Sequence, residues 1–581
     1  MKTPAVFAAV LLAMAGAPAA ADTYVRQPGI RIAHYTFEIA LSDASNELVV
    51  SETVEVRILA PGVTTVDFDL CKFTAQPRSP LTPEQFRDPC AEPAGGGRGG
   101  PPIAATGGKG MTITTVTADG RPASFQHEKD RVHIALPRAF QTGERCEVTL
   151  SYHGVPATGI LIANNKYGDR GFLSNPWPNK ARNYLASIDH PYAKAPVTTI
   201  ITAPRKYQVI SNGRMTEQTD LPGDLRRTAW SESSPICTCL MSIGVAPFAV
   251  AHFGEYHGIP LSAWVYPQEK DVSIRNFSAF TQPILEFFID HIGPYSYEKL
   301  AQVEANGIGG GMELASDIFY GYGAAGPGRQ LVAHEMAHQW FGDSAAEKDW
   351  DDVWLSEGFA TYFALLYQEF EDGHDAFLEG IKRSKTQAIA FALANPASTI
   401  VHDNLADISK VIDNNAQIYQ GGAQVLHNIR GVVGTDTFWA GIRLYYSRFQ
   451  NGNATTDDFR RAMEEACAAA GDRCSADGRD LTWLFHELLN RGGVLQVKGG
   501  WRYDAAAKQI EVTLDQTQTS GVYRMPIEIA ITRNGAPVPT IQVAQLREPH
   551  QVFTFSSDTE PAGVVLDPGA WVMMEATFEK K

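Results

Sequence analysis

The hydrophobic period of this chain changes twice, and those two changes constrain its fold more than any single motif. From residue 24 to about 253, apolar and polar side chains alternate, as in Tyr35-Thr-Phe-Glu-Ile-Ala-Leu, Glu52-Thr-Val-Glu-Val-Arg-Ile and Glu147-Val-Thr-Leu-Ser-Tyr. A period of two with frequent β-branched and aromatic residues is that of half-buried strands, so this part predicts an all-β domain. Between about 261 and 490 the spacing becomes helical: Phe277, Phe280, Ile284, Phe287 and Phe288 share one face of a helix that Gly293-Pro294 ends. A short strand is expected over 299–305, ahead of a glycine cluster, and Thr455 or Thr456 is placed to cap a helix that opens on Asp457-Asp458. After Gly492-Gly493 alternation returns in Gln509-Ile-Glu-Val-Thr-Leu and Met525-Pro-Ile-Glu-Ile-Ala-Ile, with Asn534-Gly535 as a turn pair. The expectation is a multidomain α+β chain, with an N-terminal β-domain over 22–254, a mainly helical domain over 255–495 and a small β-sandwich over 496–581.

Residues 1–21 read as an address. Lys2, an uncharged apolar stretch over 5–15 and Ala19-Ala20-Ala21 before Asp22 form a secretory signal, and Pro4, Gly16 and Pro18 keep it short of the roughly 20 apolar residues of a membrane span. The chain is therefore expected in the periplasm or outside the cell, with no integral membrane segment once the signal is removed. Its 65 acidic and 49 basic side chains give a net charge of −16, which argues against a nucleic-acid partner, since no basic surplus exists to displace counterions from phosphates. Export permits disulfides, and seven cysteines leave at least one unpaired. Cys467 with Cys474, and Cys71 with Cys90, are close enough in sequence to bridge. Alternation in Ile-Cys237-Thr-Cys239-Leu predicts a strand with both sulfurs on one face, in a structural role. The glycine- and proline-rich residues 91–110 predict a mobile loop.

The segment that carries chemistry is Val332-Ala-His334-Glu335-Met-Ala-His338-Gln-Trp-Phe-Gly342. Histidines four apart on a helix differ by about 40° in azimuth, so both imidazoles project from one face and can share a zinc ion. Glu335 lies beside that face, placed to hold a metal-bound water as general base. A third ligand is needed, and Glu357 stands nineteen residues beyond His338 in Trp354-Leu-Ser-Glu357-Gly-Phe-Ala-Thr-Tyr362, which reads as a second helix. A helical hairpin would bring it to the metal. Two neutral imidazoles and one carboxylate leave a dication positively charged, which lowers the pKa of bound water. Asp351, Asp352 and Ser356 are candidates either for holding the ligands or for capping the second helix.

H-E-x-x-H, eighteen intervening residues and a glutamate within W-L-x-E-G-F-A together resemble the aminopeptidase N and leukotriene hydrolase family of gluzincin zinc metallopeptidases. Gly310-Gly311-Met312-Glu313-Leu314 resembles the family's G-A-M-E-N signature, and Tyr419-Gln420-Gly421-Gly422 its Y-x-K-G segment. In the β-domain, the stretch from Ala181-Arg182 through Asp189 and Pro191 to Lys194-Ala195, and the turn Ser211-Asn212-Gly213, are similar to two further family segments. The resemblance implies a thermolysin-like catalytic domain, one zinc ion held by His334, His338 and Glu357, Glu335 as base and Tyr419 as donor to the oxyanion. It also implies that Gly310, Gly311, Met312 and Glu313 bind the substrate, with Glu313 anchoring the free α-amine. The implied activity is removal of N-terminal residues from peptides by a metal-activated water.

Two positions depart from the family pattern. Leu314 stands where relatives carry asparagine, and Trp177, in Pro176-Trp177-Pro178, stands where they carry a glutamate or glutamine that also holds the amine. A ring face attracts an ammonium but does not neutralise it. An endopeptidase, or an exopeptidase releasing larger units, therefore stays open. Epoxide hydrolysis, as in the leukotriene branch, has no separate support, and a non-catalytic peptide-binding relative is opposed by the intact ligands, base and tyrosine.

Overall fold

The computed structural model describes residues 22–74, 90, 109–321, 328–471, 474–536 and 538–581. The signal expected at 1–21 and the loop expected at 91–110 lie outside them, except for Lys109 and Gly110. Gly110 opens the strand Gly110–Ala118 and is no part of a loop.

The alternating N-terminal segments form strands because each buries one row of side chains. Ile30–Ala40 and Leu48–Ile58 pair antiparallel, with Tyr35 opposite Val54. They sit in the middle of an eight-stranded sheet ordered Arg214–Leu221, Leu225–Ile236, Ala195–Pro204, Ile30–Ala40, Leu48–Ile58, Arg145–Val155, Gly110–Ala118 and Arg121–Pro122. Tyr35, Phe37, Val54 and Leu150 form part of its buried face. Beneath it runs the Ala181-to-Lys194 stretch, whose charges are held internally. Arg182 is buried and donates to Asp189 at 3.1 Å and to Asp130 at 3.0 Å, and Lys194 reaches into the next domain to donate to the carbonyls of Asp343 and Ser344, both at 2.7 Å.

Disulfides join Cys71 to Cys90 and Cys467 to Cys474, while Cys146 is free and buried. The third pairing corrects the strand expected through Cys237 and Cys239. The strand Leu225–Ile236 stops short of them, the 3-10 turn Thr238–Leu240 follows, and the two sulfurs are bonded to each other. The turn is held because the Thr238 hydroxyl donates to Asp189 at 2.8 Å, a contact that a strand's alternation would not provide.

Among the described residues the middle region holds eight helices and a five-stranded sheet ordered Ala249–Tyr256, Ile259–Val265, Leu300–Glu304, Asp317–Tyr320 and Gly311–Met312, with the first two helices packed on the sheet. The helices are α1 (Lys270–His291), α2 (Arg329–His338), α3 (Trp354–Asp372), α4 (His374–Ala394), α5 (Gly422–Val433), α6 (Thr435–Phe449), α7 (Thr456–Ala469) and α8 (Thr482–Leu489). In α1, Phe277, Ile284, Phe287 and Phe288 are buried as their spacing requires. Thr455 caps α7 through a reciprocal capping box with Asp458, so Thr455 and not Thr456 is the cap. Thr456 instead donates to Asp352 at 2.6 Å. Among the described residues no helix is long and apolar enough to cross a membrane.

The C-terminal strands form two packed sheets. One is ordered His550–Ser556, Gln509–Gln516, Leu495–Asp504 and Met574–Lys580, the other Thr540–Leu546, Met525–Thr532 and Gly563–Leu566. Ile510, Val512, Leu514, Ile527 and Ile529 fill the space between them.

Candidate metal centre and substrate cleft

Helices α2 and α3 pack against each other and bring three side chains to one point. His334 Nε2 and His338 Nε2 are 3.3 Å apart, and Glu357 Oε2 lies 3.5 Å from the first and 3.3 Å from the second. A tetrahedral zinc with ligand bonds of about 2.0–2.1 Å needs its ligand atoms about 3.3–3.4 Å apart, so this triangle has the size the ion requires. Glu357 Oε2 is buried without a hydrogen-bond donor. Two nitrogens turned toward an undonated carboxylate oxygen form a set that a cation completes, and the residues present fit zinc.

The charges agree with that reading. Burial pushes the His334 imidazole below its ordinary pKa, which favours the neutral form a ligand must have. Burial alone would raise the Glu357 carboxyl, but His338 and His334 draw it well below the carboxylate range. Burial works to lower His338, yet Glu357, Glu313 and Glu335 together raise it, so a proton and a metal compete for the same nitrogen. Its other nitrogen, Nδ1, sits 3.2 Å from the Phe341 carbonyl and 3.0 Å from Ser356 Oγ. A carbonyl only accepts, so the proton belongs on Nδ1 and the Nε2 lone pair faces the triangle. Of the three candidates near Glu357, Ser356, on α3, is thus the one that reaches a candidate ligand, while Asp351 and Asp352 lie in the 3-10 turn Trp350–Asp352 before the helix. Asp351 accepts the backbone amides of Asn404 and Leu405, both at 2.9 Å, and Asp352 accepts Thr456.

Glu335 is buried one position along α2, and burial raises its pKa well above the ordinary value. It faces Gly311, where an added Cβ would overlap its carboxyl. Gly311–Met312 is the edge strand of the five-stranded sheet, pairing on one side with Asp317–Tyr320, Gly311 opposite Tyr320. Its other edge is available to an extended peptide. Glu313 follows it, buried, with a pKa raised by that burial. Side-chain ligand atoms of Glu313, Glu335 and His338 lie within 4.8 Å of one another.

Gln339, which sequence reasoning did not single out, ties these parts together. Its amide donates to the Glu313 carbonyl at 3.1 Å and to Asp343 at 2.7 Å, and its carbonyl oxygen accepts the Ser316 amide at 2.9 Å. The residue after the second histidine therefore ties the segment that follows Gly311–Met312 to α2. Leu314 is fully buried and makes no polar contribution to the site.

Tyr419 stands on a π-helical turn, Gln417–Gly421, leading into α5. Its hydroxyl donates to Glu357 Oε1 at 2.6 Å, and its ring stacks on His334 with an interplanar angle of 9°. The turn comes so close to α3 because both contact residues are glycines: a Cβ on Gly358 would lie 2.8 Å from Gly422 Cα. Trp177 enters the cleft from the β-domain, its ring held edge-on by Trp350 at 5.5 Å. The cleft has a volume of about 780 Å³, and its far wall comes from α3 and α4 through Gln368, Arg383, Ser384 and Gln387. The helical pattern of α4 alone did not distinguish this wall from a solvated face.

Comparison with known proteins matches the two larger parts of this architecture. The peptidase M1 N-terminal domain matches residues 109–240, and the peptidase family M1 domain matches residues 327–487. An M1 zinc metallopeptidase from Deinococcus radiodurans shares the fold, with a TM-score of 0.61 at 20% identity over 78% of this chain and 93% of that one. Glutamyl aminopeptidase of Sus scrofa is 27% identical over 308 residues, which are 50% of this chain and 32% of that protein. Tricorn protease-interacting factor F2 of Thermoplasma acidophilum is 24% identical over 448 residues, 73% of this chain and 54% of that protein. The chain thus spans about a third to a half of the length of these curated relatives. With both family domains in order along it and the fold of an M1 metallopeptidase around the histidine-glutamate triangle, the chain belongs to the peptidase M1 family.

Proposed function

We propose that this protein is an exported zinc aminopeptidase, with one zinc ion per chain, that removes N-terminal residues from peptides. The observation that carries the reading is the closeness of Glu313 to Glu335 and His338, whose side-chain ligand atoms all fall within 4.8 Å. Within one amino acid the amine nitrogen and the carbonyl carbon are about 2.5 Å apart. An ammonium paired with Glu313 therefore leaves room for a single residue before the bond presented to Glu335. The names of the relatives, aminopeptidases among them, support the same activity. Residues 1–21 and three disulfides support export.

When bound, zinc supplies a Lewis acid for the scissile carbonyl and lowers the pKa of water. Glu335 takes the proton of the attacking water and returns it to the leaving amine, and its raised pKa suits a group that must hold a proton and release it. The Tyr419 hydroxyl turns from Glu357 to the carbonyl oxygen as negative charge develops there, a donor that brings no charge of its own. The strand edge at Gly311–Met312 aligns the peptide backbone.

The test uses one short peptide with a free and with an acetylated N-terminus, its products followed by mass spectrometry. Stepwise loss of single residues from the free form alone is expected. Equal cleavage of the acetylated form would replace this reading with the endopeptidase, which the uncharged Trp177 in the cleft favours.

A further inference from the structure

Among the described residues the substrate cleft is lined by three carboxylates, Glu313, Glu335 and Glu357, and by one permanently charged cation, Arg383. Among the described residues Arg383 makes no hydrogen bond and no ion pair, although the chain has an excess of acidic side chains. The acid one turn earlier on its own helix, Glu379, is taken by Lys382 at 3.1 Å. Ser384 and Gln387, on the same face of α4, also line the cleft. This wall therefore presents a guanidinium and further polar groups toward the space a substrate occupies.

Its position gives the direction of recognition. Gly373 joins α3 to α4 as a one-residue connection with φ +89°, so the two helices run antiparallel. Gly380 packs against Leu365 and Gln368 of α3. From Gly380 to Gln387, α4 thus returns along α3 toward Glu357, and Arg383 stands level with the stretch from Thr361 to Leu365. That is roughly 10 Å from Glu357 along the hairpin. The strand Gly311–Met312 packs on α2 and α4 packs on α3, so the amine anchor and Arg383 reach the same cleft from different helices of the ligand-bearing pair. A chain advances up to about 3.5 Å per residue and an arginine side chain spans several ångströms more, so the guanidinium meets groups one or two residues past the scissile bond.

We propose that Arg383 is the carboxylate-recognising end of this cleft, binding either the C-terminus of a di- or tripeptide or an acidic side chain just beyond the bond that is cut. The inference rests on the aminopeptidase reading for its orientation, but its test does not depend on turnover. Binding of Ala-Ala and of Ala-Ala-amide is measured by calorimetry on the full zinc-loaded chain carrying Glu335→Gln. The free acid is expected to bind on the order of 10- to 100-fold more tightly than the amide. Adding Arg383→Ala should collapse that ratio to about one, Arg383→Lys should keep part of it, and Arg383→Glu should reverse it. Ala-Glu-amide, whose carboxylate is on the side chain alone, separates the two sources: regaining the tight binding assigns the site to an acidic side chain, and failing to do so assigns it to the chain end. Equal binding of acid and amide before Arg383 is changed, or a ratio that survives Arg383→Ala, overturns the proposal. Loss of the aminopeptidase reading is seen separately, in cleavage of the acetylated peptide by the unsubstituted chain.

Discussion

Ser356 Oγ lies 3.0 Å from Nδ1 of His338, so the helix that carries the candidate ligand Glu357 also orients a candidate ligand on its neighbour. Room for this contact depends on Gly342, where a Cβ would overlap the serine hydroxyl. Replacing the hydroxyl leaves Nδ1 with the Phe341 carbonyl alone. Ser356→Ala should weaken zinc affinity on the order of tenfold or more while leaving the fold intact. Competition with a chromophoric chelator reads this directly, and activity should recover in excess zinc. If the affinity is unchanged, Phe341 alone fixes the imidazole.

Gly311 and Glu335 form a second pair whose relation is purely steric. A side chain at Gly311 meets the mobile end of Glu335 and not a backbone, so the carboxyl can swing aside at little cost in stability. What it loses is its place beside the edge strand Gly311–Met312. Gly311→Ala should therefore lower kcat on the order of 10²-fold, approaching the effect of Glu335→Gln, with a melting temperature close to that of the parent. A large drop in melting temperature together with near-normal kcat would show that the strand, not the base, needs the glycine.

The parts of this site that were legible in the sequence are those whose geometry is local. His334 and His338 share a face because of helix pitch alone, and a threonine cap at 455 or 456 is legible from the acidic turn that follows, though only the structure selects Thr455 and pairs it with Asp458. Glu357 is legible from its spacing, since a helical hairpin of that length returns to the histidines, whereas Tyr419 rests on motif resemblance, because nothing local says that a π-helical turn 62 residues on will touch α3. Gln339 was missed because its partners, Glu313 and Ser316, are more than twenty residues earlier and meet it only in the folded domain. Cys237 and Cys239 were misread because alternation is equally compatible with a strand and with a short turn pinned by a distant aspartate. Arg383 is invisible for a related reason: a polar helix face reads the same whether it looks into solvent or into a cleft.

Tyr419 and Glu357 are joined by a 2.6 Å hydrogen bond, which places the phenol beside the triangle. Tyr419→Phe removes the donor and keeps the ring that stacks on His334. The expected result is a fall in kcat of about 10²- to 10³-fold, little change in KM and retained zinc. Gly422→Ala tests the same group from the side, since the new methyl presses the π-helical turn away from Gly358. It should reduce kcat together with stability, by about 1–3 kcal/mol. A Tyr419→Phe enzyme with unchanged kcat would remove the phenol from the reaction.

Glu52 and Tyr152 face each other inside the β-domain, the tyrosine hydroxyl donating to Glu52 Oε2 at 2.6 Å while Oε1 is buried without a partner. Burial pushes the Glu52 carboxyl up to about 8, against the opposing hydrogen bonds from Tyr152 and the Ala186 amide. In the unfolded chain the same group titrates near its ordinary value of about 4.3. A pKa raised on folding means that the protonated group contributes stability fully below the unfolded value, and that this contribution is lost as pH rises through the folded one. Glu52→Gln removes the titration but keeps the shape. The parent should therefore lose stability relative to the variant between about pH 4.3 and pH 8, at on the order of 1.4 kcal/mol per pH unit, and the difference should level off above that window. Every other titrating group is common to both chains and cancels in the comparison. Urea midpoints of the two proteins at pH 5, 6.5 and 8 measure the slope, and parallel curves would mean that Glu52 is already ionised in the folded domain.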